Sequence, residues 1–436
     1  MSSKIIVLDD DPTGSQTVHS CLLLLKWDVE TLKKGLQDAS PIFFILTNTR
    51  ALPPDEARQI IREVCQNLKQ ALDAVGIQTF LVVSRSDSTL RGHYPLEIDE
   101  INTQLGPFDA HFMVPAFFEA QRITIDSVHY IIKDGQRIPV HKTEFAQDSA
   151  FSFSHSYLPD YVNEKTEGRI SSEKVIRLTL SDVRSGISAK LLELQNNDCV
   201  SVDAETQSDL DCFAQEILAA VAQGKRFLFR SAASLLTSLA KLPPQPVAAQ
   251  AMHQYVQASG PGIVLVGSHV QKTTQQLMAL LKLTDVVGIE VDVAQLRDNP
   301  EQSNVLRQAI SEKIYQVIKS DQVPVVYTSR QELAFENMAE RLAFGSKVSS
   351  FLMSIVHHLP NALGFLIAKG GITSNDTLKQ GLRLTTVRLL GQIVPGVSVV
   401  KTDADHPQFP ELPVVLFPGN VGDIDGISLA YRRLIV

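Results

Sequence analysis

At 436 residues the chain is too long for one ordinary hydrophobic core, and its formal net charge of −8 argues against binding nucleic acid by bulk electrostatics. Hydrophobic residues make up 44% and charged residues 20%, a balance expected of a soluble globular protein, and no run approaches the roughly 18 apolar residues of a membrane span. Cys21, Cys65, Cys199 and Cys212 are scattered without metal-type pairing, which predicts reduced thiols, no structural zinc and a cytoplasmic protein. The opening Met-Ser-Ser-Lys runs directly into a strand, so no signal peptide is expected.

The first element is the run Ile5, Ile6, Val7, Leu8, short, continuous and β-branched, as a buried parallel strand should be. Asp9, Asp10 and Asp11 follow at once, and Pro12 and Gly14 force a turn. A second strand is predicted at 21–25, a helix at 29–38 and a buried strand at 42–46 that ends in polar Thr47-Asn48-Thr49-Arg50. A helix at about 55–75 places Ala57, Ile60, Ile61, Val64, Leu68, Ala71 and Leu72 on one stripe. A strand at 79–83 runs into the polar stretch 84–93, and a helix begins near 95. This recurrence of strand, polar loop and helix predicts a parallel α/β sheet with its loops on one edge. Further strands are expected at 111–114, near 174–180, at 199–202 and at 226–229, with helices at 185–195 and 208–223. A hairpin turns at Asp134-Gly135. Residues 146–172 have no clean period and read as a long loop or lid.

Pro243, Pro244 and Pro246 mark a stiff linker, giving domains at 1–240 and 251–436 joined by 241–250. The second half restarts the same rhythm, with strands at 262–267, 286–291, 323–327, 365–368 and 414–417 and helices at 273–282, 303–319 and 335–357. The expected fold is therefore α/β, with two domains that are each a mostly parallel sheet flanked by helices, and an active site in the inter-domain cleft.

Two sets of residues carry chemistry. In the first half, the acidic turn should lie beside the strand end that bears Asp87 and Arg91, which flank Ser88 and Thr89. An arginine can clamp a carboxylate or phosphate bidentately, and an aspartate can accept a proton. Glu119, Arg122, His129 and Glu144 read as structural. In the second half, four strand ends are rich in Gly, Ser and Thr: Gly267-Ser268, Thr328-Ser329, Gly370-Gly371-Ile372-Thr373-Ser374 and Pro418-Gly419-Asn420. Small residues that expose backbone N–H groups suit phosphate. Neither a Walker loop nor a dinucleotide glycine fingerprint is present.

The stretches Leu8-Asp-Asp-Asp-Pro-Thr-Gly14, Ser86-Asp-Ser-Thr-Leu-Arg-Gly92, Val114-Pro-Ala-Phe117 and Thr143-Glu-Phe-Ala146 together resemble the substrate domain of the four-carbon acid sugar kinase family. The glycine-rich strand ends resemble its nucleotide-binding domain, in the right order. The resemblance implies an ATP-dependent kinase acting on a hydroxyl of a small sugar acid, such as a tetronate or 3-oxo-tetronate. It assigns Asp9, Asp10, Thr13, Gly14, Asp87, Ser88 and Arg91 to the acid site. Arg91 would bind the carboxylate, and Asp10 or Asp87 would take the hydroxyl proton. Ser268, Gly370, Gly371, Thr373, Ser374, Gly419 and Asn420 would hold ATP, with Mg2+ held through Asp423. There are departures. The family's opening turn commonly reads Ala-Asp-Asp-Leu-Thr-Gly-Ala. Phe417 stands where a basic residue usually precedes the Pro/Ser-Gly-Asn turn, and Ile372 where a Glu often follows the paired glycines. The alternatives are a haloacid-dehalogenase-type phosphatase, whose Asp-x-Asp-x-Thr turn is also satisfied with Asp9 as nucleophile, and a non-catalytic sugar-acid or nucleotide sensor. The partners expected are a sugar acid and ATP, with no nucleic acid and no membrane; a homodimer is a base-rate expectation.

Overall fold

The apolar runs form strands buried on both faces. In the computed structural model, which describes residues 3–258, 260–331, 333–335 and 337–435, the chain divides into two compact units, 1–244 and 245–436. No described helix is long and apolar enough to cross a membrane.

The N-terminal unit contains β1 (Lys4–Asp9), β2 (Leu22–Leu24), β3 (Ile42–Leu46), β4 (Phe80–Arg85), β5 (Ala110–Val114), β6 (Arg122–Ile125), β7 (Val128–Lys133), β8 (Gln136–Pro139), β9 (Ile176–Leu178), β10 (Asp198–Val202) and β11 (Phe227–Ser231). Its main sheet runs β2-β3-β1-β4-β11-β5-β10-β9, with every pairing parallel. β6, β7 and β8 form a separate antiparallel sheet that turns at Asp134-Gly135. Because the main strands are parallel, their carboxyl ends share one edge, where open α/β sheets bind ligands. Register sets Asp9 level with Leu46 on one side and Arg85 on the other, and Ser231 level with Arg85.

The helix Pro54–Val75 buries Ala57, Ile61, Val64, Cys65, Leu68, Ala71 and Leu72 and ends at Gly76, whose φ of 77° takes the left-handed conformation that suits glycine. Its stripe joins the core over β1, β3 and β4. Burying each large side chain there stabilises the fold by about 1.5–3 kcal/mol.

The C-terminal unit contains β12 (Ile263–Val266), β13 (Val286–Val291), β14 (Val323–Thr328), β15 (Leu366–Lys369), β16 (Thr386–Val394), β17 (Val397–Lys401) and β18 (Pro413–Phe417), ordered β13-β14-β12-β15-β18-β17-β16. β17 is antiparallel to both neighbours, and the pairings among β12, β13, β14, β15 and β18 are parallel. The hairpin of β16 and β17 escapes the sequence reading because register shifts at Leu389/Gly391 and Gln392/Val394 break its alternation.

Two other expectations change. Residues 146–172 are not one irregular loop: Leu158–Lys165 is a helix that buries Leu158, Tyr161 and Val162. It is too short for its period to stand out, and Pro159 in the first turn hides it further. The helix expected at 185–195 is two short helices, Leu180–Ser185 and Ser188–Glu193, parted at Gly186 with φ 101°.

Tyr161 ties the new helix to the edge. Its hydroxyl donates to the Leu90 carbonyl at 2.7 Å, and Leu90 itself sits at φ 68°, a conformation that needs outside support. Tyr161→Phe should cost about 1 kcal/mol in urea unfolding. An unchanged midpoint would show that this bond does not brace the loop.

Candidate functional site

The acidic turn is held by arginines that the neighbouring strands deliver. Arg50, just past β3, donates from Nε to Asp10 Oδ2 at 3.0 Å and from Nη2 to Asp10 Oδ1, and its Nη1 reaches Asp11 at 3.4 Å. Arg85, the last residue of β4, lies 3.3 Å from Asp9 Oδ1 and 3.5 Å from Asp10 Oδ1. The Ser86 hydroxyl donates to Asp10 Oδ2 at 3.0 Å. Both Asp10 oxygens are thus engaged, and the side chain is buried. Thr13 donates its backbone N–H to Asp11 Oδ1 at 2.8 Å and its hydroxyl to the same oxygen. Burial pushes the Asp11 carboxyl up, but Arg50, Arg85 and Thr13 outweigh it and hold it below the usual range.

Asp9 behaves differently. Burial raises its carboxyl to about 7 against the pull of Arg85, and repulsion from Asp10 and Asp11 adds to the rise. Its Oδ2 has no hydrogen-bond partner. Gly14 closes over it, since a Cβ there would stand 2.0 Å from Asp9 Oδ1. A 1%-exposed carboxyl raised to about 7 and closed over by Gly14 is poorly placed as a nucleophile, which disfavours the phosphatase reading.

The loop 86–92 comes next along the edge. Asp87 Oδ2 accepts from Arg91 Nε at 2.7 Å and from the Thr89 hydroxyl. Burial alone would raise Asp87, but Arg50, Arg91, the Thr89 hydroxyl and Arg122 hold it well below the usual carboxylate range. Its Oδ1 takes no hydrogen bond among the described residues. Ser88 is fixed on both sides: Arg122 Nη1 donates to its hydroxyl at 2.8 Å, and His129 Nε2 donates to its carbonyl at 2.7 Å. Burial pushes His129 down to about 4, so its ring is neutral and Nδ1 accepts from the Thr124 hydroxyl at 3.0 Å. Arg91 Nη1 also reaches Asp148 at 3.4 Å. Glu119 accepts from Ser234 at 3.2 Å, a structural contact. The loop turns tightly at Gly92, φ 117°, where a Cβ would stand 2.7 Å from both Ser86 Oγ and Arg230 Nη2.

The C-terminal unit gathers its small residues at the ends of β12, β15 and β18. A Cβ on Gly267 would stand 2.2 Å from Thr373 Oγ1, and one on Gly370, φ 119°, would stand 2.9 Å from Ser268 Cβ. Thr273 donates to the Gly419 carbonyl at 3.0 Å and to Ser268 Oγ at 3.3 Å. Ser268, Gly370, Thr373 and Gly419 therefore line one narrow cradle, and Gly371 opens the helix Gly371–Asp376 beside it. Ser374 is occupied internally, donating its hydroxyl to the Ala368 carbonyl at 3.1 Å and its N–H to Gly370 at 2.8 Å. Asn420 is exposed at the 418–420 turn. Asp423 is exposed too; its carbonyl accepts from Gln276 at 2.7 Å, and its carboxylate has no partner among the described residues.

Phe417, where a basic residue is expected, is the register partner of Lys369. The buried Lys369 ammonium lies 4.1 Å from the Phe417 ring centroid and donates to the Pro418 carbonyl at 2.6 Å. Burial lowers it to about 7, and Lys272 adds to the fall. Sequence reasoning passed over Lys369, Arg50 and Arg85. Each sits at a strand end in plain view, but its partner lies on another strand.

Residues 5–239 match the sugar-binding N-terminal domain family, and residues 263–427 match the nucleotide-binding C-terminal domain family. The chain belongs to the four-carbon acid sugar kinase family. Among curated relatives of these kinases, the D-erythronate kinase of Heliobacterium modesticaldum is 24% identical over 99% of this chain and 97% of its own length. The D-threonate kinase of Bordetella bronchiseptica is 26% identical over 35% of this chain and 37% of its own. Two solved structures share the fold. One is described as a putative tRNA synthase from Salmonella typhimurium LT2 (TM-score 0.74, 19% identity, all of both chains). The other is a Haemophilus influenzae protein (TM-score 0.65, 17% identity, 99% of this chain and 100% of that one).

Asp9 supplies a sign-specific prediction. Its folded-state carboxyl, raised from 3.8 to about 7, favours the fold at low pH, and that contribution is lost as pH rises through about 7. Thermal melts from pH 5 to 8 should show the wild type losing stability relative to Asp9→Asn. Parallel curves would mean that Asp9 is ionised throughout.

Proposed function

We propose that this chain is an ATP-dependent kinase that phosphorylates a hydroxyl of a four-carbon sugar acid, a tetronate or 3-oxo-tetronate. The observation that carries the reading is the pairing, in one chain, of an arginine-rich acidic edge in the sugar-binding unit with a glycine-lined cradle in the nucleotide-binding unit. The relative named D-erythronate kinase, alignable along nearly the whole chain, supports the substrate class.

In this reading Asp87 is the base, because its Oδ1 is unbonded whereas both Asp10 oxygens are taken by Arg50 and Ser86. The low basicity of Asp87 suits phosphoryl transfer, where positioning and charge stabilisation outweigh early proton removal. The substrate hydroxyl oxygen bonds to the γ-phosphorus as the bond to the bridging oxygen of ADP breaks, and its proton passes to Asp87. Asp10, with Thr13 and Gly14, shapes the acid pocket. Gly371, Thr373, Gly419 and Asn420 would offer the phosphates their backbone N–H groups, and Ser268 and Thr373 their hydroxyls, while Gly370, whose N–H is bonded to the Phe417 carbonyl at 2.8 Å, would leave room for the phosphates. Mg2+ asks for one or two carboxylates plus phosphate oxygens, and the unpartnered Asp423 carboxylate fits that demand. When bound, the ion offsets charge on the phosphate oxygens. A site in the cytoplasm is consistent with ATP as donor.

The test is ADP release from ATP and Mg2+ over D-erythronate, D-threonate and their 3-oxo forms. Acid-dependent release is expected with at least one of them, and silence across the panel would contradict the proposal. With the active acid, Asp87→Asn should lower kcat by about 10²–10⁴-fold. Near-normal turnover would remove Asp87 as the base.

A further inference from the structure

Most arginines at the carboxyl edge of the N-terminal sheet are matched to carboxylates. Arg50 pairs with Asp10 and Asp11, Arg85 with Asp9 and Asp10, Arg91 with Asp87 and Asp148, and Arg230 with Glu97 at 2.6 Å. Arg122 differs from all four. Among the described residues no carboxylate lies within ion-pair distance of it, and its one side-chain hydrogen bond runs from Nη1 to the neutral Ser88 hydroxyl at 2.8 Å. Its Nε is buried without a partner. Nη2 makes no hydrogen bond among the described residues either, so the Nε–Nη2 edge, the fork that grips a carboxylate bidentately, is unmatched.

Everything around Arg122 holds that fork in place. Phe117 and Arg122 exchange both backbone hydrogen bonds at 2.9 Å, which fixes the stem at the start of β6. The Phe145 ring centroid lies 5.7 Å from the guanidinium and 5.0 Å from that of Arg91, so one aromatic ring is shared by two cations. Ser88 and Asp87, distant in sequence, adjoin it in space. Asp87 and Glu144 act on this partly buried guanidinium through their charge, but neither is bonded to it, so its fork remains unmatched.

We propose that Arg122 binds the carboxylate of the sugar-acid substrate and sets the preference for acids, while Arg91 braces Asp87 and the 86–92 loop. The assignment rests on the kinase reading above. It gives the carboxylate to a different residue from Arg91, whose Nε and Nη1 are already taken up by Asp87, Thr89 and Asp148.

The experiment is steady-state kinetics of the full chain with ATP, Mg2+ and whichever of D-erythronate, D-threonate or their 3-oxo forms it turns over. Losing charge-assisted hydrogen bonds to a carboxylate should raise the acid KM of Arg122→Met roughly 10- to 100-fold, with a much smaller change in kcat. Arg122→Lys keeps the charge and the stem but not the fork, so it should stay folded and show a smaller rise. Arg91→Met should act chiefly on kcat, because it releases Asp87. The assignment is overturned if the Arg122 variants keep the wild-type KM, or if Arg91→Met carries the KM rise instead. A wild-type chain that turns over none of these acids overturns the kinase reading, and the Arg122 assignment with it.

Discussion

Three consecutive carboxylates at the end of a buried strand can coexist only if other strands bring cations to them. Arg50 and Arg85 do so from the two strands that flank β1. Two guanidinia can balance two carboxylates. The third, Asp9, is buried, and its carboxyl is raised to about 7. At Asp9 burial outweighs the nearby arginine, because Arg85 is shared with Asp10. The parallel register is what makes this arrangement available, since it sets Asp9 and Arg85 level on one edge. Gly14 completes it by leaving room for the Asp9 carboxyl.

The neighbouring loop 86–92 is built on the same principle, with its geometry imposed from outside. Leu90 and Gly92 occupy positive-φ conformations, and the loop's polar groups are held by Tyr161, Arg122 and a neutral His129. A neutral imidazole can donate from one nitrogen and accept on the other, so His129 fixes the Ser88 carbonyl without adding charge beside Asp87. The result is an edge on which Asp87 stays ionised.

Much of this was legible in the sequence, for identifiable reasons. Runs such as Ile5–Leu8, with β-branched residues followed by a polar turn, read as buried parallel strands, and the stripe along Pro54–Val75 reads as a helix face. The acidic turn and the Asp87–Arg91 loop could be named as a candidate site because they follow strands directly. What stayed hidden depends on which strands are neighbours. Arg50 is 40 residues from Asp10 in sequence, and Arg122 is 34 from Ser88. Lys369 meets Phe417 only through the register of β15 and β18, so the cation that seemed missing from one strand was visible on another without its meaning. The helix Leu158–Lys165 and the hairpin of β16 and β17 were hidden by short length and by bulges.

The central claim is a division of labour, with the acid on the Asp9–Asp11 and 86–92 edge and the nucleotide in the cradle of Ser268, Gly370 and Gly419. Hydrogen–deuterium exchange of the full chain, with D-erythronate alone and with a non-hydrolysable ATP analogue alone, tests it most directly. The account predicts that the acid slows exchange in peptides covering residues 9–14, 86–92 and 122, and that the nucleotide slows exchange in those covering 267–273, 370–374 and 418–420. Protection of the N-terminal peptides by the nucleotide, or of the C-terminal ones by the acid, would contradict it.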